Sequence, residues 1–177
     1  MTLRHASPAD RESIRAICLE AFDASENEQV AKLATELLIE IDEAPPPFTL
    51  IAEEKRAPIG TVAFSPVRLR DVSGFIGYIL APLAVRPDFQ GDGIGKALAE
   101  AGLQEAKRQG ARMAFVYGDP AYYGRFGFGA ELAQPFDPPF RLQYPDGWQA
   151  IHLAAGTSSI APGPIDCVKA LRRPELW

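Results

Sequence analysis

Residues 83–96, Leu-Ala-Val-Arg-Pro-Asp-Phe-Gln-Gly-Asp-Gly-Ile-Gly-Lys, constrain this chain more than any other stretch. An apolar run ends, a turn follows, and Gly91, Gly93 and Gly95 open onto a helical pattern. Glycine leaves no Cβ over the N–H groups of the first helical turn, so an anionic group can reach bare backbone there. Those N–H groups lie at the positive end of the helix dipole and form a ready phosphate site. Gln90 adds a side-chain amide donor just ahead of them. The stretch reads as strand, diphosphate cradle and helix, with a glycine-rich turn that binds nothing as the alternative.

Two other phosphate loops are excluded by counting. A Walker A loop would place its first glycine at Gln90 and a hydroxyl residue at Ala97, so it fails twice. A dinucleotide fingerprint starting at Gly91 would need its third glycine at Lys96. The turn also lies mid-chain, after an apparent antiparallel meander rather than in an opening β-α-β unit.

A chain of 177 residues suits one domain with a sizeable core, and 47% hydrophobic content excludes disorder. The net charge of −5 argues against nucleic acid as partner, since phosphate backbones demand a basic surface. It is compatible with a cationic substrate such as an amine. Cys18 and Cys167 are too few for a disulfide framework, and Cys18 falls on an apolar helical stripe. No secretory signal and no apolar run of about 18 residues appears, which predicts a cytoplasmic chain with no membrane partner.

Thr2–His5 reads as a first strand. Ser7-Pro8-Ala9-Asp10 reads as a helix start, with Ser7 as N-cap and Asp10 completing a capping box. Ile14, Ile17, Cys18, Ala21 and Phe22 recur at helical spacing, and Val30, Leu33, Ala34, Leu37, Leu38 and Ile41 predict a second amphipathic helix. Pro45–Pro47 end it. Residues 48–52 and 59–69 read as strands two and three. Asp71, Ser73 and Gly74 turn the chain into strand four, 75–85, which is apolar enough to be covered on both faces. Pro82 lacks a ladder N–H, which predicts that strand four parts from a neighbour there. A helix over about 94–109 follows, with Ala97, Leu98 and Ala101 inward and Gly110 at its end. Residues 113–117 are strand five, 120–126 a short helix, 128–132 a sixth strand and 148–153 a seventh. Cys167 to Arg172 reads as one helical turn, and the tail over 155–177 is otherwise unassigned.

Gln90-Gly91-Asp92-Gly93-Ile94-Gly95 resembles the acyl-coenzyme A signature Gln-x-x-Gly-x-Gly of the GCN5-related N-acetyltransferases (GNAT). Leu83-Ala84-Val85 looks like that family's fourth strand. Ala121-Tyr122-Tyr123-Gly124-Arg125-Phe126-Gly127-Phe128 is similar to its aromatic-Tyr-x-Lys/Arg-x-Gly-Phe motif. The two motifs stand in the right order and the likeness is strongest over residues 1–130. The wording around Tyr122 and Tyr123 looks most like a bacterial subgroup of predicted acetyltransferases. The resemblance implies an α/β (α+β) fold with a mixed, mostly antiparallel sheet of six to seven strands flanked by helices, splayed between strands four and five. It implies one acyltransferase domain over residues 1–177.

It further implies acetyl-coenzyme A as acyl donor, an amine acceptor, no metal, and a monomer or homodimer. Backbone amides of Gly91, Asp92, Gly93, Ile94, Gly95 and Lys96, with the Gln90 side chain, would hold the coenzyme's diphosphate. Lys96 either adds charge or stands as a solvated helix residue. Unpaired groups at Leu83, Ala84 and Val85 would pair with the pantetheine arm as an added strand does, and an amide near Leu83 would polarise the thioester carbonyl. Tyr123 occupies the general-acid position, with a core tyrosine bonded to backbone as the alternative role. Asp119 and Tyr122 complete the coenzyme-binding set, with a helix cap before Pro120 and plain packing as their alternatives. Strand four carries no base. Glu26 and Glu28 are the carboxylates nearest a helix junction; Glu28 is the candidate base, against simple surface solvation. His5 and His152 stand alone and read as structural. A binding module that senses acyl-coenzyme A without turnover is the rival, and acyl transfer to oxygen or of a longer acyl chain is a weaker one. The proline-rich residues 133–147 read as one wall of the acceptor site.

Overall fold

The computed structural model describes residues 1–70, 72–155 and 160–177. The chain divides into two compact units, Met1–Phe64 with Ala81–Gly102, and Ser65–Leu80 with Leu103–Trp177. Two long strands, β3 (Ala57–Leu69) and β4 (Val72–Val85), run through both.

The first unit opens with β1 (Thr2–His5), antiparallel to β2 (Phe48–Glu54), which is antiparallel in turn to β3. Between β1 and β2 lie α1 (Arg11–Ala21) and α2 (Asn27–Ile39). The capping box forms as expected: Asp10 Oδ2 accepts the Ser7 N–H at 2.8 Å. Ile14, Ile17 and Cys18 of α1 meet Ala31 and Ala34 of α2 over Ile51 and Ala84. α2 ends at Ile39 rather than at the prolines, because Glu40 is already extended; Ile41 therefore leaves the apolar stripe and stands 83% exposed. The β2–β3 turn is made by Lys55 and Arg56, both at positive φ without being glycine.

α3 (Ile94–Arg108) follows β4. Its inward stripe is Ile94, Leu98, Ala99, Leu103 and Ala106, so Leu98 was rightly placed while Ala97 and Ala101 are only half-buried. The missing Cβ of Gly102 is what admits the Phe64 ring, which would stand 2.0 Å from it. Gly110, at φ +86°, closes the helix as a left-handed terminus.

The second unit pairs β5 (Met113–Tyr117) parallel to β4 over Gly77–Ile79 only, and antiparallel to β7 (Trp148–His152) along its whole length. The β4–β5 register thus stops three residues before Pro82, while β4 runs on to Val85 and β5 to Tyr117. This is the splay of the fold. Gly77 lets the two strands meet, since a Cβ there would lie 1.8 Å from the Met113 carbonyl oxygen. Short helices α4 (Pro120–Tyr123) and α5 (Ala130–Ala133) follow β5. The strand expected over 128–132 is absent: Ala-Glu-Leu-Ala are good helix formers, and only Gly129 bridges to Ala150. The sixth strand is instead β6 (Phe136–Asp137), parallel to β8 (Gly163–Cys167), which lies antiparallel to β3. Among the described residues β8 brings the sheet to eight strands, one more than expected, in the order β1-β2-β3-β4-β5-β7 with β8 on β3 and β6 on β8. Lys169–Leu171 makes the single helical turn expected in the tail. The turn residue Asp71 lies outside the described residues, and Gly74 belongs to β4.

Candidate active site

The glycine turn is held by its own chain. Arg86 follows β4 and is fastened three ways: its N–H donates to Ile59 O at 2.9 Å, its Nε to Pro58 O at 3.0 Å, and its guanidinium pairs with Glu20 at 2.5 Å. Successive residues of a strand point their backbone groups to opposite edges. With Arg86 directed to β3, the N–H and C=O of Val85 and Leu83 turn to the other edge. Ala84 is buried in the α1–α2 core and acts through packing. Pro87–Phe89 then forms a single tight turn, and Gln90 reaches back so that its Nε2 donates to Val85 O at 3.0 Å.

Gly91 and Gly93 take φ of +87° and +79°, and a Cβ built on either meets nothing within 4 Å. Among the described residues no atom crowds either of these positions, so the space beside both glycines is open. Ala97 N–H donates to Gly93 O at 2.9 Å, so the N–H groups of Gly93, Ile94, Gly95 and Lys96 precede the helical ladder. Ile94 is 5% exposed and pins the helix start to the core. Lys96 and Asp92 are exposed; Lys96 stands 3.9 Å from Glu100. Open space, left-handed glycines and a row of amides fit an anionic diphosphate.

In the second unit, Asp119 caps α4: its Oδ1 accepts Ala121 N–H at 2.9 Å. Tyr123 follows, half-buried, with Phe128 at 6.0 Å and Tyr122 at 5.0 Å, both edge-on. Burial first, and Tyr122 second, push its phenol above the ordinary value of 10.0. Among the described residues its hydroxyl has no hydrogen-bond partner. Tyr122 lies under the Arg125 guanidinium at 4.5 Å; burial raises its phenol and Arg125 opposes the shift. Gly118 escaped the sequence reading: a Cβ there would lie 2.5 Å from Tyr123 Cε2, so glycine is what makes room for the ring. Gln149 also escaped it, as did Arg86, since a lone buried amide and a lone arginine carry no spacing signal.

Glu28 is exposed and paired with Arg15 at 2.8 Å across α1 and α2, and Glu26 is exposed beside it. His5 lies 6.1 Å from the Phe48 ring, and exposed His152 pairs with Met113 in the sheet. Residues 133–148 surround a cleft of about 670 Å³ whose walls include Gln134, Asp137, Pro139, Phe140, Arg141 and Trp148. Among the described residues no cluster of three or more His, Cys, Asp or Glu is placed to hold a metal, and no helix is long and apolar enough to cross a membrane.

A mixed sheet with a splayed parallel pair, and a bare glycine turn opening the helix that follows β4 in the chain, define an acyltransferase of the α/β type. The profile of the Acetyltransferase (GNAT) family matches residues 12–128, and the chain belongs to that family as an acetyl-coenzyme A-dependent N-acetyltransferase. It is similar to the uncharacterized N-acetyltransferase YjhQ of Escherichia coli, 29% identical over 94% of each chain. It is 35% identical to the uncharacterized N-acetyltransferase YhbS of the same organism over 82% of this chain and 81% of that one. The crystal structure of YhbS in complex with CoA superposes with a TM-score of 0.82 at 26% identity, covering 97% of this chain and 92% of that one. A GNAT acetyltransferase from Brucella melitensis in complex with acetyl-CoA gives 0.74 at 28% identity, covering 96% of each.

Proposed function

We propose that the chain moves an acetyl group from acetyl-coenzyme A to a primary amine by direct attack, with Tyr123 as general acid. The amides of residues 91–96 bind the diphosphate, Gln90 braces that turn through the Val85 carbonyl, and the outward groups of Leu83 with the Val85 N–H pair with the pantetheine arm. A Leu83 amide polarises the thioester carbonyl. The amine nitrogen forms a bond to the carbonyl carbon, the carbon–sulfur bond breaks, and the thiolate takes the Tyr123 proton. The amine gives its own proton to water, since Glu28 is engaged by Arg15. Tyr123 then regains its proton from solvent.

One observation carries this reading: the half-buried Tyr123 hydroxyl has no hydrogen-bond partner among the described residues, so its proton is not committed to them. Like any phenol it is protonated at neutral pH, and with no such bond to give up it can donate that proton, whereas a core tyrosine bonded to backbone could not. The cleft beside Phe140, lined by both Asp137 and Arg141, takes the acceptor. In this reading residues 1–177 work as one acyltransferase domain, as monomer or homodimer. Two cysteines, too few for a disulfide framework, fit a cytoplasmic setting.

The test is incubation of the purified protein with acetyl-coenzyme A and a panel of polyamines, arylalkylamines, amino acids and free peptide N-termini. Thiol release with a matching mass gain on one amine is the expected result. Tight coenzyme binding by calorimetry with no release on any amine would instead favour a sensing module.

A further inference from the structure

We propose that Gln149 is a positioning residue for Tyr123, an inference that rests on reading Tyr123 as the acid. Gln149 is 1% exposed in β7, opposite Val116. A buried primary amide is costly unless hydrogen-bonded, and a side chain such as Met would fill the same space without that cost. Its Nε2 donates to Gly118 O at 3.1 Å and lies 3.3 Å from Gly147 O. The ladder between β5 and β7 ends at Tyr117 and Trp148, so Gly118 O lies just past it. Gly118 N–H in turn donates to Gly147 O at 3.0 Å. One side-chain amide thus closes a small lattice of backbone groups over both glycines.

That lattice is the floor under the acid. The Tyr123 ring lies against Gly118, where a Cβ would come within 2.5 Å of it. The next residue, Asp119, accepts the Tyr123 N–H at 3.0 Å through its carbonyl and caps the helix with its side chain. The peptide at 118–119 therefore sets both the surface the ring rests on and the first turn that carries it. Releasing Gly118 O lets that peptide rotate and moves the hydroxyl, and proton transfer tolerates little misplacement.

The experiment is a double-mutant cycle of wild type, Tyr123→Phe, Gln149→Met and both together, using acetyl-coenzyme A and the amine from the panel with the fastest turnover. Gln149→Met is expected to lower kcat about tenfold, with KM for acetyl-coenzyme A within about twofold. In the Tyr123→Phe background the same change is expected to cost less than about twofold, because the group it positions is gone. Hydrogen exchange needs no acceptor: residues 118–123 are expected to exchange faster in Gln149→Met while 113–116 keep wild-type rates. An equal drop in both backgrounds, an unchanged kcat, or unchanged exchange would each overturn the proposal. Should Gln149→Met fail to fold, Gln149→Asn, which keeps the amide one methylene short, is read by the same cycle. If Tyr123→Phe keeps wild-type kcat, the acid reading itself falls and this inference with it; if only Gln149→Met does, the acid reading stands.

Discussion

Gln90 donates its side-chain amide to the carbonyl of Val85 at 3.0 Å, so the residue expected to reach for the diphosphate also ties the glycine turn to the end of β4. An amide carries two N–H groups, and one of them is committed to the chain. Gln90→Leu removes the brace and the donor together. A neutral hydrogen bond contributes about 0.5–1.5 kcal/mol, so KM for acetyl-coenzyme A should rise about two- to tenfold with kcat held within twofold. A large fall in kcat at unchanged KM would place Gln90 elsewhere in the reaction.

Gly93→Val acts on the same turn in a different way. The position has φ of +79°, which a β-branched residue adopts only under strain, and the valine side chain would enter space now open above the first-turn amides. Coenzyme binding measured by calorimetry should be lost. The circular dichroism spectrum should keep its wild-type shape, since no protein atom lies within 4 Å of the added Cβ. Wild-type affinity in this variant would remove the turn from the binding site.

Tyr123 gives a pH signature. Its phenol is raised above 10.0 by burial, so the protonated, donating form persists through the whole range in which an ordinary tyrosine is still neutral. The profile of kcat should rise to a plateau and show no falling limb up to about pH 10. A descending limb centred near pH 8, retained with several amines, would name a different acid.

The glycine turn and the tyrosine segment were legible because their chemistry is local. Gly91 and Gly93 announce left-handed backbone through residue type alone, and Asp119-Pro120 announces the short helix that carries Tyr123. The parts that were not legible depend on distant packing. Gly118 matters because of a ring five residues on, and Gln149 because of two carbonyls past the end of a ladder. Residues 128–132 read as a strand in the sequence, whereas Ala130–Ala133 follows its helix propensity. β8 pairs with β3 across about a hundred residues, and no short-range pattern in a proline- and glycine-rich tail points there. The Lys55–Arg56 turn breaks the glycine rule outright.

Gly77 makes the parallel pair possible and should be intolerant. A Cβ would stand 1.8 Å from Met113 O, and backbone on both sides leaves nothing flexible to give way. Gly77→Ala should cost about 3 kcal/mol, which in a chain of this size lowers Tm by about 6–12 °C. An unchanged melting curve would mean that β4 and β5 lie further apart than described.

Arg4 joins the start of the chain to the sheet and sets its acid sensitivity. Its Nη2 donates to Asp10 Oδ1 at 2.7 Å and to Glu53 Oε1 at 2.6 Å. Hydrogen bonds from Arg4, against burial and with help from Ser7, hold the Asp10 carboxyl well below its ordinary 3.8. A carboxyl whose folded value is depressed adds stability that is complete above the ordinary value and is lost as pH falls through the folded one. Asp10→Asn should therefore lower stability by about 1–2 kcal/mol at pH 7, a figure reduced for the partly exposed Arg4. The gap between wild type and variant should begin to narrow below about pH 4, where the unfolded chain's Asp10 takes up a proton while the folded carboxylate stays ionised, and it closes only as pH falls through the depressed folded value. Urea melts at pH 7 and pH 3 measure it directly, and a gap that is constant between them would show that the pair contributes through packing rather than charge.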